Sequence, residues 1–332
     1  MFRVSRRSPT RIAVYALAGF TILYVAIGLI GWGPSAANES PIGEVSRWCE
    51  RVRSGLLREP VNTLGNLGFI AAGLAMFRVL AHDRVGDTPA GNRFFGHQPL
   101  ALLYASAAVF LGPGSMVMHG THTFFGAWID NVSMVTYILI PWLLNLSVLA
   151  RWRERTLFRA YGALLVLYAI GYWFFGSDLG IGLDLFGVSI GLWVISEVLY
   201  RWWSPSARLW SGLVGFVVAA IFGIMPGEIF SDLGEYWWVL LFWVPGIVAT
   251  GPAPGRRRYT PWFWAGFASF ILAYAIWLTG TDEHEWCRPD SLIQAHAIWH
   301  MLSALATWCF FKFLRTERQI QPSEVPSGVI GL

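Results

Sequence analysis

The residues of this chain best suited to chemistry are three histidines, one serine and one aspartate at the ends of long apolar stretches. Gly114-Ser115-Met116-Val117-Met118-His119 closes one such stretch, and Asp130 follows eleven residues after His119. His296-Ala297-Ile298-Trp299-His300 opens the last stretch. Ionisable groups in membrane-length segments are costly and mark functional sites by default. His296 and His300 stand four residues apart and share one helix face, so two neutral imidazoles could share a metal ion, with His119 as a third ligand. Three protein ligands leave the fourth position of a zinc ion open, the pattern of a catalytic rather than a structural site. Water on such a zinc becomes acidic enough to act as a nucleophile near neutral pH. The bland alternative is a set of histidines hydrogen-bonded within a helix bundle. Ser115 precedes His119 by one turn and could donate to a developing oxyanion, or simply pack as a small residue between helices. Asp130 could accept the proton of the attacking water or orient a ligand histidine, or else cap a helix. His122 could replace one of the ligand histidines, but its loop position makes a solvated surface residue the preferred reading; His82, His97 and His284 are also expected in loops.

The elements that must position these groups read as membrane helices. Of 332 residues, 55% are hydrophobic and only 13% charged, against about 25% charged in soluble domains. The 19 Trp and 23 Phe suit aromatic belts at the two membrane interfaces. The formal charge of +4 does not point to nucleic acid, because the basic residues lie in short loops between apolar runs. Lys312 is the only lysine, a composition that suggests a GC-rich, bacterial genome. Cys49, Cys287 and Cys309 form no Cys-x-x-Cys pair, which argues against a thiolate zinc site.

Residues 12–32 form an apolar run long enough to span a bilayer, preceded by Arg3, Arg6, Arg7 and Arg11. Ser35-Ala36-Ala37 resembles a signal-peptidase site, but the run exceeds a usual signal core, and an uncleaved helix is the preferred reading. Nine further runs are expected at about 61–81, 99–119, 128–150, 156–176, 181–200, 208–225, 236–250, 261–280 and 292–314. Arginines gather in alternate loops (Arg84 and Arg93; Arg151, Arg153 and Arg155; Arg201 and Arg208; Arg256, Arg257 and Arg258; Arg315 and Arg318), while the opposite loops carry acids. The positive-inside rule then puts both termini in the cytoplasm. His119, Asp130, His296 and His300 fall at one level near the outer face. The pair 208–225 and 236–250 is the weakest, and removing it keeps the same parity. Asp184 is expected to line a cavity, and Glu197 to pair with Arg201. The polar stretch from Gln319 is expected to be disordered.

Gly112-x-Gly114-Ser115-x-x-x-His119-x-Thr121, then Asp130, then His296-Ala297-x-Trp299-His300 resembles the alkaline ceramidases, part of a wider group of membrane hydrolases that includes adiponectin receptors. Trp48-Cys49-Glu50 and Glu59-x-x-Asn62-x-x-x-Asn66 resemble that family's N-terminal motif. The likeness runs from about residue 46 to 314. It implies an all-α, seven-helix core, here extended to about ten spans, with zinc on His119, His296 and His300. It also implies Ser115 and Asp130 as catalytic partners in hydrolysing the amide bond of a ceramide-like or other N-acyl lipid. Cys49 and Cys287 fall in outer loops, where an oxidising compartment permits a disulfide, and the resemblance implies the same pairing. The family's calcium site would engage Trp48, Glu50 and Glu59, but Arg47 and Val52 stand where oxygen ligands are expected. Calcium dependence is therefore not expected, and Arg51, Arg53 and Arg58 could neutralise the glutamates instead.

The expected organisation is a membrane helix and outer linker over residues 1–45, the hydrolase domain over 46–315, and a cytoplasmic tail over 316–332. The protein is expected in a bacterial inner membrane with its zinc site toward the extracytoplasmic face. Its partner would be a membrane lipid, with neither nucleic acid nor an obligate protein partner. A receptor-like lipid-binding protein of the same fold and a metal or proton transporter are the rival readings.

Overall fold

In lipid every backbone N–H and C=O must be satisfied within the chain, so the apolar runs fold as helices. The computed structural model describes residues 8–84, 86 and 89–319. Arg3, Arg6 and Arg7 of the basic flank, and residues 320–332 of the tail, lie outside them. Among the described residues, six helical stretches are long and apolar enough to cross a membrane: Ser8–Ile30, Pro60–His82, Pro99–Thr121, Phe124–Leu149, Glu154–Phe175 and Ala295–Leu314. They contain α1 (Ser8–Ile30), the consecutive α2 (Pro60–Gly65) and α3 (Leu67–His82), α4 (Pro99–Thr121), α5 (Phe124–Leu149) and α6 (Glu154–Phe175). Next come α7 (Leu185–Arg201), α8 (Pro205–Trp210), α9 (Leu213–Ile221), α10 (Pro226–Ser231), a 3₁₀ helix (Trp237–Trp243) and α11 (Val244–Val248). The chain closes with α12 (Trp262–Leu278) and α13 (Ala295–Leu314).

Among the described residues the ten expected spans do not appear as ten membrane-length helices. The run 208–225 is cut at Ser211, whose hydroxyl bonds back to the Arg208 carbonyl, and again at Gly223, which has φ +89°. Nine-residue α9 reaches only about 14 Å, half of a hydrocarbon core of about 30 Å. The run 236–250 folds as a 3₁₀ helix followed by a five-residue α-helix. The two helices α7 and α12 are 17 residues each, at the short end of the spanning range.

The chain divides into two compact units, residues 1–133 with 257–332, and residues 134–256. In the first, α13 packs against α12, α3, α2 and α4, and α1 packs on α3 and α4. Small residues permit the closest approaches: a Cβ on Gly65 would stand 2.8 Å from Ala297 Cα, so α2 lies against the first turn of α13. Helix α4 ends at His122, which adopts a left-handed φ of 50° and bonds its N–H to the Met118 carbonyl. The break is only His122 and Thr123, after which α5 begins. Asp130 is thus the seventh residue of α5 and not its first, a position from which it cannot cap the helix N-terminus.

In the second unit, α7 packs on α9, the 3₁₀ helix and α11. Asp184 was expected to line a cavity; instead it is an exposed N-cap whose carboxylate accepts the N–H groups of Phe186 and Gly187. Glu197 is buried and accepts from Asn145 Nδ2 at 2.9 Å. The first residues of the expected tail are also held: Glu317 accepts from Arg257 Nε at 2.8 Å, and Arg318–Gln319 form a short strand.

Candidate metal centre

His119 occupies the last turn of α4, while His296 and His300 occupy the first two turns of α13. The packing of these two helices and α2 brings the three side chains together. His119 Nε2 lies 3.2 Å from His296 Nε2 and 3.3 Å from His300 Nε2. One ligand atom from each residue falls within a 4.8 Å group, and all three residues are buried. Glu59, fully buried just before α2, is hydrogen-bonded through Oε2 to His119 Nδ1. Its backbone N–H also donates to the His119 carbonyl at 3.0 Å. An ionised Glu59 keeps the proton on Nδ1, which leaves the His119 Nε2 lone pair facing the other two rings. A metal ion among the three rings would take that lone pair together with one nitrogen from each neighbouring imidazole, a buried three-nitrogen donor set of the kind that holds zinc. The residues present therefore fit a metal ion.

Aromatic rings pack against the other two histidines. Trp48 stacks on His296 with ring centres 4.3 Å apart, and Phe69 meets His300 edge-on at 6.1 Å. Cys49, directly after Trp48, is joined by a disulfide to Cys287 in the loop before α13. Cys309 is a buried free thiol. The disulfide ties the Trp48 segment to the loop leading into the helix that carries His296.

Ser115 is buried, one turn before His119 on α4. The Asp130 carboxylate lies beside this hydroxyl and within electrostatic reach of His119. Both residues thus border the histidine cluster.

The residues read from sequence as a degenerate calcium site have other partners. Glu50 accepts the backbone N–H groups of Val61 and Asn62, each at 2.8 Å, and so satisfies amides in the first turn of α2 that have no partner within the helix. Burial holds its carboxyl above the ordinary glutamate range, and the two backbone bonds oppose that shift. The expectation that Arg51, Arg53 and Arg58 neutralise Glu50 and Glu59 is not met: Arg53 lies within electrostatic reach of Asp290. Arg51 reaches Asp290, with its Nε 2.9 Å from Oδ1. Arg58 donates to Ser35 Oγ at 3.1 Å and to the Gly33 carbonyl.

His122 was expected in solvent but is 1% exposed. Its Nε2 lies 3.2 Å from Glu59 Oε1, and its Nδ1 lies 4.0 Å from Glu39 Oε2. Glu39 was not singled out by sequence. The only hint for His122 was its place three residues past a ligand candidate. Glu39 carried none, because its approach depends on how the segment after α1 folds back.

Helices of membrane length around a buried three-histidine cluster that could hold a metal define a multi-pass membrane protein with an enclosed metal-competent site. A family model described as Ceramidase matches residues 44–326, and the chain belongs to that family, whose members are ceramide-hydrolysing membrane enzymes. No curated protein matches the chain.

Proposed function

We propose that this protein is a zinc-dependent intramembrane hydrolase that cleaves the amide bond of a ceramide-like lipid. The observation that carries the reading is the convergence of three buried imidazole nitrogens next to Ser115 and Asp130. His119, His296 and His300 would hold the ion. Bound there, a zinc ion supplies a Lewis acid that acidifies water and polarises a carbonyl. Asp130 takes a proton from the water that attacks the amide carbon. The same proton then passes to the leaving nitrogen, the C–N bond breaks, and a fatty acid and a free amine result. The hydroxyl of Ser115 donates to the carbonyl oxygen as negative charge develops on it. The site belongs to the hydrolase domain, residues 46–315, in a bacterial inner membrane with the histidines toward the extracytoplasmic face. The alternating charge of the loops supports that orientation.

The test is lipid mass spectrometry on purified protein incubated with a mixed sphingolipid and N-acyl-lipid panel, with and without chelator, alongside elemental analysis. About one zinc per chain and chelator-sensitive release of fatty acid are expected. Zinc without turnover on any lipid would favour the receptor-like reading, and absence of a transition metal would remove the mechanism.

A further inference from the structure

The family-matched region begins at residue 44, yet the segment before it is built into the site. Tyr24 Oη and Trp32 Nε1 both donate to the Leu56 carbonyl, at 3.1 and 3.0 Å. Arg58 reaches back to Gly33 and Ser35. Ala36 N–H donates to the carbonyl of His122 at 2.8 Å. These bonds fasten residues 24–36 to the two stretches that carry Glu59 and His119, and they set Glu39 beyond them with only 2% of its side chain exposed.

Glu39 stands where two lines of contact meet. Its Oε2 lies 4.0 Å from His122 Nδ1; the other nitrogen of that ring lies 3.2 Å from Glu59 Oε1, and Glu59 holds His119. Its Oε1 accepts from Arg47 Nη2 at 2.8 Å. The Arg47 guanidinium lies 5.1 Å over the Trp48 ring, and Trp48 stacks on His296. A buried carboxylate paired to a guanidinium makes a charge-assisted bond of fixed geometry. Groups behind metal-binding histidines set ring orientation and ligand basicity.

We infer that Glu39, from the segment preceding the family-matched region, is a positioning residue for the metal-binding histidines, acting on His119 through His122 and Glu59 and on His296 through Arg47 and Trp48. The inference rests on the reading that these histidines hold a metal. It adds that the N-terminal segment tunes how tightly and in what geometry they do so.

The test uses full-length protein loaded with zinc or with cobalt(II), comparing wild type with Glu39→Gln, His122→Asn and Glu44→Gln. Glu44 is an exposed acid in the same loop and serves as the control. Metal affinity is read by competition with a chromophoric chelator, ligand geometry by the visible cobalt spectrum, and folding by the melting midpoint in detergent. Glu39→Gln and His122→Asn should each weaken metal binding roughly tenfold, the lower end of the range for groups behind a ligand, and shift the cobalt bands. Glu44→Gln should match wild type. If wild type binds metal but both site variants keep its affinity and spectrum, the inference is overturned and the zinc reading stands. If wild type binds no metal, the zinc reading itself fails. Should Glu39→Gln not fold, His122→Asn decides the matter at the other end of the same contact.

Discussion

Glu59 and His119 hold each other twice, once between backbone N–H and carbonyl and once between carboxylate and imidazole Nδ1. The double attachment fixes the position of the ring and also which nitrogen faces His296 and His300. It makes Glu59 part of the histidine cluster, although in the sequence it lies 60 residues from His119.

Glu59→Gln removes the negative charge and leaves the Nδ1 proton less strongly held. Zinc affinity should fall by about 10–100-fold, with little change in the helical content seen by circular dichroism. Chelator competition measures this, and an unchanged dissociation constant would show that the carboxylate is only a packing element.

Asp130 and Ser115 should behave differently from the histidines. Asp130→Ala should lower turnover by about 10²–10⁴-fold and Ser115→Ala by about 10²–10³-fold, both with zinc retained. His300→Ala should lose zinc and activity together. Turnover and zinc stoichiometry on the three variants check the division. Near-native turnover in zinc-loaded Asp130→Ala would require withdrawing the proposed proton transfer.

The Cys49–Cys287 bond closes a loop of sequence separation 238, and removing a native disulfide typically costs about 2–5 kcal/mol. Cys49→Ser with Cys287→Ser should lower the melting midpoint. The double variant should also bind zinc less tightly, because Trp48, next to Cys49, stacks on His296. Peptide mapping under non-reducing conditions should find this pair, with Cys309 as the thiol.

Glu50 predicts a pH effect on stability. Burial holds its carboxyl above the ordinary range, so the folded protein keeps that proton to a higher pH than the unfolded chain does. Its contribution to stability therefore declines as pH rises from the ordinary glutamate range to the raised value, and levels off above it. Glu50→Gln should lose this slope while costing roughly 1–2 kcal/mol, because one amide oxygen replaces two carboxylate oxygens facing the Val61 and Asn62 amides. Denaturant midpoints from mildly acidic to neutral pH compare the two proteins.

Calcium should be dispensable. Arg47 pairs with Glu39, Glu50 is taken up by backbone amides, and Glu59 by His119. Activity should be unchanged by EGTA at concentrations that leave zinc in place. A large loss restored by Ca²⁺ would mean that these carboxylates rearrange around the ion.

The sequence by itself determined the helical membrane class and singled out the three histidines that the fold brings together, because both follow from local rules. Apolar run length reports bilayer thickness, a four-residue spacing reports one helix face, and a motif is contiguous in the chain. Where a run is interrupted, those rules weaken: hydropathy cannot distinguish a span at 208–250 from the series of short helices found there, since average apolarity ignores where Gly223, Pro226 and Pro245 break the backbone ladder. Only the tertiary structure decided the partners of the buried charges. His122 reads as a loop residue until the chain after α1 folds over it, Glu59 reads as a cation ligand until α2 lies against α4 and α13, and Glu39 carries no motif at all. The charge of a carboxylate is written in its residue type, but whether it meets a metal, an imidazole, a guanidinium or a helix end depends on contacts between segments distant in sequence.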